Sequence, residues 1–249
     1  MPIRETLSLI ASVAQRKGLS TPFIVGGVPR DKFMGRLENI EDIDLTTGNN
    51  DIHALAKEVA AVLPGSSYRV MDDGHASISA PECKLDFSSN FLIPNVDVLL
   101  RGAGVAEPKQ IQCELYSRDF TCNTLLLTLD LKKIMDPTGL AIQDINRRVL
   151  RTCLPAAITL GLQHKRVVRV LYMAAKLDFE VDPEIIKWVK ENPTSLTDGA
   201  KPKSIAQKLQ AAMDANPQRT VKLIGEMGLW QHVPPLPSLI PYMNSPERM

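Results

Sequence analysis

Two short segments constrain this chain more than any others. Pro22-Phe23-Ile24-Val25 runs directly into Gly26-Gly27, and Asp42-Ile43-Asp44 follows fifteen residues on. The first reads as a short buried strand that breaks at the glycines, and Ile43-Asp44-Leu45-Thr46-Thr47 reads as the next strand. A D-x-D on a strand sets both carboxylates on one face, because side chains alternate sides at every residue. Two anionic oxygen ligands aimed at one point suit Mg²⁺, which is usually held by one or two carboxylates plus substrate phosphates. The Gly-Gly upstream lets backbone N–H groups approach an anion closely. Acidic residues one apart are also common as plain solvated side chains, so the pair takes its meaning from its neighbours.

Apolar positions Ile3, Leu7, Ile10, Val13 and Ala14 recur at helical spacing over 3–17, and Gly18 closes that helix. A second helix is expected from Arg30 to Met34, ended by Gly35, and a third from Asp51 to Val62. Tyr68–Met71 and His75–Ser79 flank Asp72-Asp73-Gly74, a hairpin signal, with Lys84–Phe87 as a further strand. Residues 89–113, with Pro94, Gly102, Gly104 and Pro108, read as one long irregular loop. Tyr116–Leu127 is expected as a helix, Lys132–Met135 as a strand and Asp136–Gly139 as a turn. From about Leu140 onward every element is expected to be helical: 140–147, 155–178, 183–191, 201–214 and 217–228. Asp182-Pro183 supplies an N-cap with proline at the first helical position. The fold class is therefore α+β, a small mixed sheet with helices over 1–150 followed by an all-α part over 151–235. The Pro-rich 236–249 is expected to be an extended tail.

Composition bounds the rest. The 249 residues are 44% hydrophobic and 23% charged, as in ordinary globular chains. No apolar run reaches the roughly 18 residues of a membrane span, and the N-terminus lacks the shape of a signal peptide. Cys83, Cys113, Cys122 and Cys153 are scattered without C-x-x-C spacing, so they read as reduced thiols, three of them buried, and the cytoplasm is the expected compartment. Residues 147–249 hold 15 Lys and Arg against 9 Asp and Glu, whereas the rest holds 14 against 19. An acidic front and a basic rear fit a metal-binding part joined to a phosphate-binding part.

Five separate segments then line up, in order, with one pattern. Gly26-Gly27-Val28-Pro29-Arg30-Asp31 with Gly35 is similar to G-G-x-V-R-D…L-L-G, and Glu41–Thr47 to a metal-binding D-x-D segment. Arg118-Asp119-Phe120-Thr121-Cys122-Asn123 is similar to the R-R-D-F-T-x-N-A helix start, and Asp136-Pro137-Thr138-Gly139…Asp144…Arg151 to D-P-x-G-G…D-L…L-R. Arg166-Val167-Val168-Arg169…Ala174–Phe179 is similar to a neck helix R-I-L-R…A-A-R-L-G-F. On these motifs the chain resembles the class II tRNA nucleotidyltransferase family, the bacterial-type CCA-adding enzymes and poly(A) polymerases of the DNA polymerase beta superfamily. The resemblance covers roughly residues 20–235 and implies a nucleotidyltransferase head, a helical neck and part of a body.

The resemblance implies a Mg²⁺-dependent transfer of nucleotide from an NTP, ATP and/or CTP, to an RNA 3′ end, in the first place that of tRNA. Asp42 and Asp44 would hold Mg²⁺, with Asp86 either a third carboxylate or an exposed strand residue. Gly26, Gly27 and Arg30 would cradle the triphosphate, unless Arg30-Asp31 is only a surface charge pair. Arg118, Asp119 and Asn123 would face the nucleotide from a helix N-terminal region, where backbone donors favour anions. Thr121 would cap or pack. Arg151 would contact phosphate or tie head to neck, and Arg169 would contact RNA.

Two departures matter. Ser117 replaces the first Arg of R-R-D, and the acidic E-D of the neck helix's base-reading E-D-x-x-R falls on Leu162-Gln163, with Arg166 kept. Gln163 and Arg166, one helical turn apart, would either read one base edge or solvate a helix face. Family members usually continue through a body and tail that grip tRNA, whereas this sequence ends soon after Gly225–Trp230. A different acceptor, or an idle head serving as an RNA-binding or assembly subunit, are the alternative readings.

Overall fold

The computed structural model describes residues 2–71, 75–88, 93–198 and 201–243. The chain divides into two compact units: residues 1–118 with 122–142, and residues 119–121 with 143–249.

The first unit is built on a seven-stranded sheet of β1 (Phe23–Val25), β2 (Asp42–Thr46), β3 (Ser67–Val70), β4 (Ala76–Ser79), β5 (Lys84–Phe87), β6 (Leu126–Leu127) and β7 (Ile134–Met135). Its order is β3-β4-β5-β2-β1-β6-β7, and only β2 and β5 run parallel among the pairs. The expected mixed sheet is present. Alternation along β2 and β5 sends Ile43, Leu45, Leu85 and Phe87 into the core, where they meet Leu7 and Ile10 of α1 (Ile3–Lys17) and Ile52, Leu55 and Val59 of the helix at Asp51–Val62. Gly18, at φ 64°, ends α1 in the left-handed conformation and donates to the carbonyls of Ala14 and Gln15. The remaining helices of this unit, in order, are α2 (Gly27–Phe33), α3 (Asp51–Val62), α4 (Val96–Gly102) and α5 (Gln110–Tyr116).

The helix expected from Arg30 already starts at Gly27, because Pro29 is tolerated in a first helical turn, where N–H groups have no partner to lose. The long loop expected over 89–113 contains α4 and the start of α5; helices of seven residues are too short to show a clear period. The helix expected over 116–127 is instead the end of α5, a 3₁₀ turn at Thr121–Asn123 and strand β6. Leu125-Leu126-Leu127 is an apolar run that suits a buried helix or a buried strand, and pairing of Leu126 with Val25 on β1 decides for strand. The β3–β4 pairing is the hairpin read from the sequence, with the Met71 N–H donating to the His75 carbonyl at 2.7 Å. Its turn, Asp72–Gly74, lies outside the described residues.

The chain passes within α6 (Ala141–Arg147) into the second unit, whose helices are α7 (Ala156–Thr159), α8 (Lys165–Leu177), α9 (Pro183–Glu191), α10 (Pro202–Ala215), α11 (Pro217–Glu226) and α12 (Ile240–Met243). It is not all-helical: β8 (Val149–Leu150) and β9 (Glu180–Val181) form a parallel pair, two-residue strands that carry no periodicity. The single helix expected over 155–178 is broken between α7 and α8. Gly161 stands in the break, where an added Cβ would lie 2.3 Å from the Ala157 carbonyl oxygen. The expected extended tail turns inward instead: Leu239 is buried, and Ser238 Oγ donates to Gln210 Oε1 at 2.9 Å; residues 244–249 lie outside the description. All four cysteines, rather than three, are buried. Among the described residues no helix is long and apolar enough to cross a membrane.

Candidate active site

The face of the first unit's sheet opposite its core carries a cluster of charge. Parallel pairing sets Asp42 beside Lys84 and Asp44 beside Asp86, so four charged side chains occupy the alternate positions that Ile43, Leu45, Leu85 and Phe87 leave. Lys84 Nζ lies 2.5 Å from Asp86 Oδ2. Partial burial works against the charge on Lys84, yet its hydrogen bond to Asp86 and the fields of Asp86, Asp42 and Asp44 together raise its pKa. Antiparallel pairing with β1 sets Val25 opposite Asp44, and Gly26 follows at φ 81°. A Cβ on Gly26 would stand 2.6 Å from Asp44 Oδ2, so this position leaves no room for a side chain.

Beside this face, α2 carries Arg30, which is only 3% exposed and so is not part of a surface pair. Its Nε donates to Asp31 Oδ1 at 2.8 Å and its Nη1 to Asn123 Oδ1 at 2.6 Å, with Nη2 within 3.4 Å of where a Cβ on Gly27 would sit. Asn123, distant in the sequence, is thus brought to Gly27 and Arg30 of α2. Arg118 follows the C-terminus of α5, not a helix N-terminus as expected, and Asn123 ends a 3₁₀ turn. The end of a helix favours a cation through its exposed carbonyls. Arg118 Nε and Nη2 both donate to Oε1 of the fully buried Glu114, at 3.2 and 2.7 Å. The other oxygen of Glu114 is buried without a hydrogen-bond partner. Ser117, in place of the family's first Arg, donates to the Cys113 carbonyl at 2.8 Å.

In the second unit Asp119 Oδ2 accepts from Arg169 Nε at 2.7 Å and lies 2.6 Å from its Nη2, joining two residues named from the sequence. Thr121 donates to Asp144 Oδ2 at 2.7 Å, and Arg151 forks onto both Asp144 oxygens at 3.0 and 2.8 Å. Arg151 is therefore held by a buried carboxylate. Leu162 and Gln163 do not lie on the neck helix as expected but in the turn before α8, where the Gln163 carbonyl accepts the Arg166 N–H at 2.8 Å. Leu162 is 51% exposed, whereas Arg166 is buried and donates from Nη1 to the Thr159 carbonyl at 3.2 Å. This turn, Gly161 to Lys165, lines with Asp198 a cavity of about 380 Å³.

Residues 22–151, more than half of the chain, match the model of the poly A polymerase head domain. The chain belongs to that family. It is 33% identical over 177 residues to a CC-adding tRNA nucleotidyltransferase of Geobacter sulfurreducens, a match covering 70% of this chain and 36% of that protein. It is 26% identical to an A-adding tRNA nucleotidyltransferase of Aquifex aeolicus, over 68% of this chain and 20% of the relative. Its fold follows the Bacillus stearothermophilus CCA-adding enzyme in complex with CTP, with a TM-score of 0.71 at 20% identity, covering 98% of this chain and 57% of the other. The chain thus spans about a third or less of the two curated relatives' lengths.

Within this family member, Lys84 and Glu114 are the residues that sequence reasoning passed over. Lys84 was legible as the strand neighbour, two residues away, of Asp86, and Glu114 as the i, i+4 partner of Arg118. Among the described residues no three His, Cys, Asp or Glu side chains gather closely enough to hold a metal ion. The donor set fits Mg²⁺ as a two-carboxylate site, Asp42 and Asp44 on an open face, with the remaining positions left to water and phosphate oxygens.

Proposed function

We propose that this chain catalyses Mg²⁺-dependent transfer of nucleotides from ATP and/or CTP to the 3′ end of RNA, with tRNA as the acceptor. The observation that carries this reading is the pairing of Asp42 and Asp44 on one open sheet face against a glycine, Gly26, that admits no side chain. Asp42 and Asp44 hold the metal, and Asp86 stands beside them as a third carboxylate. Bound there, Mg²⁺ supplies positive charge to the triphosphate and lowers the pKa of the attacking hydroxyl. Gly26 and Gly27 bring backbone close to the phosphates, and Arg30, fixed by Asp31 and Asn123, presents its guanidinium to them. Arg118 and Asp119 complete the nucleotide's contacts, Gln163 and Arg166 face its base, and Arg151 and Arg169 contact RNA phosphates. The head over 1–150 carries the chemistry, the helical part over 151–235 the base and acceptor. Four buried, scattered cysteines support the reducing cytoplasm as compartment.

A different acceptor is the second reading, favoured by Leu162. A half-exposed aliphatic side chain has no hydrogen bonds to offer a base edge, where the family places an acidic one. Incubating the protein with tRNA and each NTP separately, then sequencing the RNA 3′ ends, tests both. Extension by the wild type and none by Asp42→Ala with Asp44→Ala is the expected result. Equal behaviour of the two proteins overturns the reading, and extension of other acceptors but not tRNA selects the second.

A further inference from the structure

The carboxylate face carries its own cation. Of the four side chains that the β2–β5 register gathers, three are acidic and the fourth is Lys84, beside Asp42 across the parallel pair and two residues from Asp86 on the same face. Its ammonium lies 2.5 Å from Asp86 Oδ2, with the Lys84 side chain 48% and the Asp86 side chain 31% exposed. An ammonium on a four-carbon stem is a mobile point charge that can leave one oxygen for another without moving the backbone. Three carboxylates and one ammonium give the face a net charge that one divalent ion neutralises.

We propose that Lys84 is a built-in counter-cation of this face, which competes with divalent metal for Asp86 and so sets how tightly the face holds it. This rests on the reading of Asp42 and Asp44 as metal ligands. Lys84 is a positioning residue in this scheme: it acts on the metal through Asp86 and touches neither nucleotide nor acceptor. A plain surface ion pair also places a lysine on an aspartate, but its loss leaves metal affinity where it was once salt screens the remaining field.

The test is Mn²⁺ binding, followed by electron paramagnetic resonance at high ionic strength on the full chain, in wild type, Lys84→Met, Asp86→Asn and the double variant. Lys84→Met is expected to bind Mn²⁺ about tenfold more tightly than wild type, the scale of one unit charge removed at a half-exposed site. Lys84→Arg is expected to restore the wild-type affinity. In the Asp86→Asn background the same Lys84 substitution is expected to change affinity less than about twofold, because the contested oxygen is gone. Lys84→Met within about twofold of wild type overturns the proposal, as does an equal gain with and without Asp86. Mn²⁺ binding that survives Asp42→Asn with Asp44→Asn overturns the underlying reading of the site instead, which keeps the two failures apart.

Discussion

Gly26 and Asp44 stand so close that a Cβ on the glycine would lie 2.6 Å from the carboxylate's Oδ2. The contact is fixed by the Val25–Asp44 register of two central strands, and the φ of 81° at Gly26 adds a backbone conformation that other residues adopt only with strain. Gly26→Ala is therefore expected to lose about 1–3 kcal/mol of stability. It should also cut nucleotide incorporation by about 100-fold, because the displaced carboxylate is the one proposed to hold the metal. Urea unfolding and single-turnover extension at saturating Mg²⁺ read the two effects separately.

Glu114 and Arg118 form a pair in which the acid is fully buried and one of its oxygens is unpaired. Removing only the arginine leaves a buried carboxylate without its charge partner. Arg118→Met is thus expected to cost about 3–5 kcal/mol in denaturant unfolding. Adding Glu114→Leu to it should recover most of that loss. A double variant no more stable than Arg118→Met would show that the pair is not what the buried site depends on.

If Glu114 orients Arg118 toward the triphosphate, Glu114→Gln should raise KM for the NTP about tenfold with kcat changed less, since a neutral amide holds the guanidinium more weakly. Steady-state kinetics over a range of NTP concentrations give the split. A fall in kcat alone would place the effect in the chemical step and contradict a role in binding.

The Arg219 guanidinium, hydrogen-bonded to Glu180, holds that carboxyl below its ordinary value; partial burial opposes the shift and Lys222 adds to it. A lowered folded pKa contributes stability that is present above the ordinary value of 4.5 and is lost as the pH falls through the folded one. The Glu180 side chain is 78% exposed, so the gain is under about 1 kcal/mol. Glu180→Gln should accordingly unfold at slightly lower urea than wild type at pH 7. The gap should close as the pH falls below 4.5.

Asp182 caps α9 by accepting the Glu184 N–H at 2.9 Å, with Pro183 in the first turn. Asp182→Ala is expected to cost about 1 kcal/mol, and Asp182→Asn much less, in thermal or urea unfolding. Loss of the same size in both variants would place the effect outside the cap.

What the sequence determined by itself is what local chemistry dictates. Gly18 had to end α1, Asp182-Pro183 had to start α9, and D-x-D on a strand had to present Asp42 and Asp44 together, because helix caps and strand alternation act over a few residues. The ordered motifs also marked Arg30, Arg118 and Asn123 as expected nucleotide contacts. They could not tell that Arg30 is buried against Asn123, or that Arg118 follows a helix end and leans on Glu114. Leu125–Leu127 was undecidable for the same reason: an apolar run suits either element until a neighbouring strand, here β1, offers its free hydrogen-bonding edge. The tertiary structure alone decided that Lys84 joins the three carboxylates. The parallel register of β2 with β5 is settled by which apolar side chains share the opposite face, a long-range packing choice that no window of sequence contains.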